Sequence, residues 1–118
     1  MEAKHMLLRA TALACTLAFA ATALASPAGS AARGKQKAAP CAACHGDGNK
    51  TLNDTYPKLA GQYPEYLSKA LHEYKNGKRK NAIMGAQAQT LSEQDIADLS
   101  AYFGSLSPQI HDLSGHAR

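Results

Sequence analysis

Two cysteines separated by two alanines, with a histidine directly after the second, govern how this chain can be built: Cys41-Ala42-Ala43-Cys44-His45. At that spacing two thiols lie on one side of a helical turn, with an imidazole beside them. The rest of the chain gives the motif more weight. After residue 25 there is one Phe (Phe103), no Trp, and Ala is the main apolar residue. A domain this small has a marginal core and often needs a disulfide, a metal or a cofactor. Something bulky and apolar, held by the motif, would make up for the missing side chains.

C-x-x-C-H is the signature of covalent haem attachment. The two thiols add to the vinyl groups of a haem as thioethers, and the neighbouring His45 then points at the iron. Three other readings compete. Cys41 and Cys44 could form a plain disulfide in a secreted protein. They could be a thioredoxin-like redox pair, but that fold needs βαβ patterning and none is present. They could be half of a zinc site, which needs two further ligands. The third cysteine, Cys15, belongs to the leader described next. His111 and His116 could serve in principle, although they sit in a short tail. Export together with the motif favours haem.

Residues 1–25 read as a cleaved secretory signal peptide. Lys4, His5 and Arg9 make a basic start, Ala10 to Ala25 is an apolar run, and Ala23-Leu24-Ala25 has the small-x-small cleavage pattern. The run is too short and too weakly flanked for a convincing membrane span, which takes about 20 apolar residues. An uncleaved anchor or a loose tail is the bland alternative. A lipoprotein reading through Cys15 is weaker, because Ala12 precedes it where Leu is usual and the apolar run continues beyond it. The expected mature domain is 26–118, enough for one domain. Its excess of Lys and Arg over Asp and Glu is about +3, against +4 for the whole chain. With no long basic run and no aromatic-interleaved patch, nucleic acid is not an expected partner.

The expected domain is all-helical. Residues 26–40 read as a helix with a weak apolar face or a loose tail, and 46–62 as loop, with Gly46, Gly48, Pro57 and Gly61. Tyr63, Tyr66, Leu67, Ala70, Leu71 and Tyr74 follow one helical face, with Pro64 in the first turn and Gly77 past the end. Residues 77–91 read as a second loop. Ser92 and Asp95 resemble a capping box, and Ile96, Leu99, Phe103 and Leu106 repeat at helical spacing before Pro108. No stretch alternates with period two, so strands are not expected. Long loops in so small a domain usually carry function or wrap something.

Met84 is the only methionine after the leader. A methionine in a small protein is ordinarily packing. This one sits in the polar, Gly-bearing stretch Asn81-Ala82-Ile83-Met84-Gly85-Ala86, which makes packing a weaker explanation. A thioether as sixth ligand suits ferrous iron and raises the potential, and a closed six-coordinate iron suits electron transfer better than oxygen or peroxide chemistry.

Four segments carry a family resemblance: Ala39-Pro40-Cys41-Ala42-Ala43-Cys44-His45-Gly46, Tyr56-Pro57-Lys58-Leu59-Ala60-Gly61-Gln62, Asn81-Ala82-Ile83-Met84 and Asp98-Leu99-Ser100-Ala101-Tyr102-Phe103. In this order and spacing the chain resembles the class I c-type cytochromes, of the small bacterial monohaem type. It is similar to one half of the dihaem bacterial cytochromes c. The resemblance implies three to four short helices with long loops around one haem c, covalently held by Cys41 and Cys44. It implies His45 and Met84 as axial ligands, the Pro57 carbonyl as acceptor for His45 Nδ1–H, and Leu59 packed on the haem face. It also implies that Gly34 lets the first helix cross the last one closely, near Tyr102 or Phe103. Judged from the residues alone, Gly34 is simply a helix-weakening residue.

The function expected is that of a periplasmic single-electron carrier and not an enzyme, working as a monomer or weak dimer between a donor and an acceptor protein. One alternative is a haem c subunit of a larger oxidoreductase. Another is a five-coordinate haem enzyme or gas sensor in which Met84 is only core. Any pairing with a second haem would be intermolecular, because the chain has one motif. Lys75, Lys78, Arg79 and Lys80 could steer an acidic partner or simply be a solvated loop. One of Tyr63, Tyr66 and Tyr74 could reach a haem propionate, with core packing as the default. His72 reads as exposed, and Asp47, Lys50 and Asp54 as loop solvation.

Overall fold

The computed structural model describes residues 25–108, so most of the expected leader, with Cys15, and the tail with His111 and His116 lie outside the described residues. Five helices follow in order: α1 Ala31–Lys37, α2 Ala39–His45, α3 Pro64–Lys75, α4 Ala82–Gln89 and α5 Glu93–Ser105. Among the described residues there is no strand. The all-helical expectation stands, with one more helix than the three or four expected. α5 is the centre of the packing: α1 and α3 lie against it, and α4 lies against α3.

The extra helix is α4, inside the stretch 77–91 that reads as loop from sequence. Asn81 starts it, its side-chain oxygen accepting the Met84 N–H at 2.9 Å. The residues that follow are small or apolar without a one-sided stripe, and the buried one is Ala88. Periodicity therefore had no signal to report, although the cap was in plain view.

α5 forms where its sequence indicates. Ser92 Oγ accepts the Asp95 N–H at 3.1 Å and Asp95 Oδ2 accepts the Ser92 N–H at 2.9 Å, a complete capping box. Ile96, Leu99 and Phe103 then bury one stripe, and Leu99 and Phe103 cluster with Leu67 of α3 and Ala38.

The contact of α1 with α5 is largely polar. Asp98 is completely buried, yet its carboxylate accepts from five groups: Arg33 Nε (2.9 Å) and Nη2 (2.8 Å), Lys37 Nζ (3.0 Å), the Ser30 N–H (2.8 Å) and Gln94 Nε2 (2.9 Å). Such a set is what a buried carboxylate requires. Beside it the backbones nearly touch. A Cβ on Gly34 would stand 2.0 Å from the Asp98 carbonyl oxygen and 2.7 Å from Tyr102 Cβ. Gly34 is thus a close-crossing residue, as the family resemblance implied, and Tyr102 is the aromatic it faces.

Two loop readings change. Asp47 is more than solvation: its Oδ1 accepts the N–H groups of Asn49 (2.9 Å) and Lys50 (2.8 Å) and so shapes the turn after α2. His72 is not merely exposed. Its Nδ1–H donates to the Ser68 carbonyl (2.8 Å) and its Nε2–H to Glu93 (2.7 Å), linking α3 to the start of α5. Those bonds use both ring nitrogens as donors and raise the affinity of His72 for its proton, the Glu93 bond most.

Two outcomes follow. Gly34→Val should lower stability by about 3 kcal/mol or more, because the crossing must open; a melting temperature within a degree or two of wild type would contradict the close approach. The bonds from Lys37 and Ser92 lower the Asp95 carboxyl from 3.8 to about 2, and those led by Arg33 hold Asp98 lower still. Both carboxylates therefore stabilise the fold above about pH 4 and lose that contribution as pH falls through their folded values. Asp98→Asn should be less stable than wild type at pH 7, and the gap in melting temperature should narrow as pH falls below about 4.

Candidate functional site

α2 starts directly after Ala38, with Pro40 in its first turn, where a missing N–H costs nothing. It ends at Gly46, whose φ of 58° favours glycine and where a Cβ would stand 1.7 Å from the Lys50 carbonyl oxygen. On this short helix Cys41 and Cys44 are half-buried free thiols, and His45 is buried. Burial pushes the Cys41 thiol up.

His45 has a defined tautomer. Its Nδ1 lies 2.8 Å from the Pro57 carbonyl oxygen, which can only accept. The proton therefore sits on Nδ1, and Nε2 of the neutral ring keeps its lone pair for a metal. Tyr56 stands edge-on to the imidazole, with ring centroids 6.0 Å apart at 71°. The loop 46–62 closes on itself to hold these partners: the Gly48 carbonyl accepts the N–H groups of Leu59 (2.9 Å) and Ala60 (3.1 Å).

Beside α2 is a cavity of about 310 Å³, and every site residue read from the sequence lines it: Cys41, Cys44, His45, Pro57, Leu59 and Met84. Leu67 and Leu71 of α3 and Leu99 and Phe103 of α5 add apolar wall. The chain thus surrounds a large space at its centre with most of its few bulky side chains, where an ordinary domain is close-packed.

The tyrosines divide. Tyr63 is 81 % exposed and is no part of the apolar face assigned to it; as the residue before Pro64 it stands at the helix start with extended backbone. Tyr66 and Tyr74 do line the cavity, as does Arg79, which the sequence reading grouped with a surface cluster. Lys75 of that cluster turns to the Leu91 carbonyl. Ser100 was missed as a lining residue. It falls at i+4 from Ile96 in an otherwise apolar stripe, which was the available signal, and its buried Oγ has no partner among the described residues.

This donor set discriminates among the readings of the motif. Among the described residues no group of three or more His, Cys, Asp or Glu side chains is placed to hold a metal ion; His111 and His116, named as further ligands of a zinc site, lie outside them. The absence of strands among the described residues is unfavourable to a thioredoxin-like pair. A flat apolar group tethered by two thiols fits: both thiols and an oriented imidazole lie on one helix, a thioether on another, with aliphatic and aromatic walls between.

Comparison with known proteins gives the same picture. The family described as Cytochrome c matches residues 31–107. Cytochrome c4 of Pseudomonas aeruginosa is 47 % identical over 89 residues, covering 75 % of this chain and 44 % of that protein. Cytochrome c-554(548) of Halomonas halodenitrificans is 44 % identical over 81 residues, covering 66 % of this chain and 98 % of that one. The crystal structure of reduced recombinant cytochrome c4 from Pseudomonas stutzeri superposes with a TM-score of 0.66 at 38 % identity, covering 70 % of this chain and 48 % of that one. The chain spans about half the length of the cytochrome c4 proteins it matches.

Ser100→Ala removes a buried hydroxyl that nothing satisfies, so stability should stay level or rise by about 1 kcal/mol. A loss of more than about 1 kcal/mol in denaturant titration would mean that this hydroxyl is bonded in the working protein.

Proposed function

The chain belongs to the cytochrome c family, and on that basis we propose that it is a periplasmic single-electron carrier whose covalent haem c has His45 and Met84 as its axial ligands. The observation that carries this reading is the cavity. Groups far apart in sequence, the α2 motif and Met84, line one apolar space. Bound haem c supplies a one-electron iron couple.

Each residue has a definable task. The Cys41 and Cys44 thiols form the thioethers. His45, its ring set by the Pro57 carbonyl, presents Nε2 as a fixed donor that need not reorient between oxidation states. Met84 occupies the first turn of α4, where its N–H is tied to Asn81, so the thioether is carried on an ordered backbone. As a soft ligand it favours the reduced state. Leu59, Leu67, Leu99 and Phe103 exclude water from the site and lower its dielectric, which further disfavours the oxidised, more charged state. The chain acts on no substrate of its own, so its part in a reaction is to pass an electron to a partner.

Residues 1–25 are proposed as the export signal that delivers the chain to the periplasm for haem attachment, leaving 26–118 as the mature domain. Among the described residues no helix is long and apolar enough to cross a membrane. Lys78 and Lys80 remain exposed at the α3–α4 connection, next to a residue that lines the cavity. They support an acidic surface on the redox partner.

Two measurements test this reading. Purified protein should show the optical bands of low-spin haem c, including the long-wavelength ferric band of thioether–iron coordination. Met84→Ala should abolish that band, lower the potential, and convert the reduced form from one that excludes CO to one that binds it stoichiometrically. A wild-type protein that binds CO readily and lacks the band would rule out Met84 as ligand. Exchange with an acidic partner should slow as salt is added, and Lys78→Glu with Lys80→Glu should slow it by about tenfold at low ionic strength. Insensitivity to both changes would remove the steering role.

A further inference from the structure

Helix α4 carries Met84, yet it brings little of its own to hold it in place. Its buried residue is Ala88, too small to anchor a helix by apolar burial. Ala82, Ile83, Ala86, Gln87 and Gln89 are exposed, and Met84 and Gly85 are half-buried. The Asn81 cap is a bond within the helix itself. Anchoring bonds come instead at the C-terminal end, from the last turns of α3. Gln89 Nε2 donates to the Lys75 carbonyl at 2.5 Å, and the Lys75 ammonium donates to the Leu91 carbonyl. Lys75 thus grips the chain on both sides of Thr90. His72, three residues earlier and on the same side of α3, reaches the head of α5. Its Nε2–H donates to Glu93 at 2.7 Å, while its Nδ1–H donates to the Ser68 carbonyl at 2.8 Å. Between these two arms Leu91 packs against the Leu67, Leu99 and Phe103 cluster.

We propose that His72 and Lys75 form a two-armed clasp on the α4–α5 connection that keeps Met84 at the iron, and that the His72 arm closes only while its ring is protonated. The inference rests on the reading of Met84 as an axial ligand. Neither His72 nor Lys75 lines the cavity, so both are positioning residues. The proton matters because a neutral imidazole has one N–H, whereas the arm uses two. On losing a proton the ring must give up either the Ser68 carbonyl or the full strength of its Glu93 bond, and in both cases the link between α3 and α5 weakens. The bonds to Glu93 and then Ser68 favour the charged ring, and the charge of Lys75 opposes it. α4 has no ionisable side chain, Asp95 of α5 turns to Lys37, and Lys69 and Glu73 of α3 pair with each other, so these do not set the charge of the arm. The arm is therefore closed below the ordinary histidine value of 6.5 and opens as pH rises through the higher value that His72 has in the fold.

The test is the rate at which cyanide displaces Met84 from the ferric holoprotein across pH, followed by loss of the thioether–iron band. Entry waits on the opening of the Met84 bond, so it reads how firmly α4 is seated. Each variant is compared with wild type at the same pH, which cancels the titration of the cyanide itself. His72→Gln should speed entry about threefold at about pH 5.5, and the difference should vanish by about pH 8.5, where wild type has lost the same arm. Glu93→Gln should match it. Lys75→Ala should speed entry about tenfold across the whole range. Amide exchange from Gly85 to Gln89 should quicken in the same variants while that of α1 stays at the wild-type rate, which a general loss of stability would not produce. Wild-type cyanide entry in His72→Gln at every pH would overturn the proposal, as would an acceleration independent of pH. If His72→Gln failed to retain haem, wild-type entry in Glu93→Gln would overturn it equally. A wild-type protein without the thioether–iron band would instead sink the assignment of Met84 on which the clasp rests.

Discussion

The position of α2 is set by a carboxylate that is not on it. Asp98 of α5 gathers Arg33, Lys37 and the Ser30 N–H, and so pins α1 across α5 at the point where Gly34 lets the backbones meet. Only Ala38 separates α1 from α2. Fixing α1 therefore fixes where Cys41, Cys44 and His45 stand relative to the walls supplied by α3 and α5. α1 itself brings no bulky apolar side chain to the crossing, and its buried residue is a glycine. Charge and backbone proximity take the place of a hydrophobic seam, which frees the few large side chains of the chain to line the cavity.

This division of labour explains an unusual core. Leu67, Leu99 and Phe103 are buried, yet each also lines the cavity. Hydrophobic stabilisation in a domain of this size is limited by the apolar area it can bury. A covalently held macrocycle enlarges that area from the inside, and its attachment cannot be lost by dissociation. In the proposed carrier the same walls would keep water from the metal, so a single arrangement of residues would both stabilise the fold and favour reduction.

Much of this was legible in the sequence, for physical reasons that can be named. The α3 and α5 helices announced themselves because amphipathic periodicity and capping chemistry agreed, at Pro64 and Gly77 for one and at Ser92 and Asp95 for the other. The motif at Cys41–His45 was legible because its spacing has few chemical uses. Helix α4 was not, since a short segment wedged beside a cavity needs no single apolar face. Asp98 went unremarked as a clamp because a buried carboxylate looks like a surface one until its partners, more than sixty residues earlier, are folded against it. Tyr63 shares the helical spacing of Tyr66 and Tyr74 but stands before the helix begins, so its register carried no information. Arg79 appeared as one of four clustered cations, and only the fold separates it from Lys75, Lys78 and Lys80.

The central claim is that an iron porphyrin is bonded to the polypeptide through Cys41 and Cys44. Intact-mass spectrometry of the exported protein under fully denaturing conditions tests it most directly. The account predicts the mass of the processed chain plus one haem, and the bare processed chain for a Cys41→Ala, Cys44→Ala double variant. A wild-type mass equal to polypeptide alone, in a protein that folds cooperatively, would contradict it.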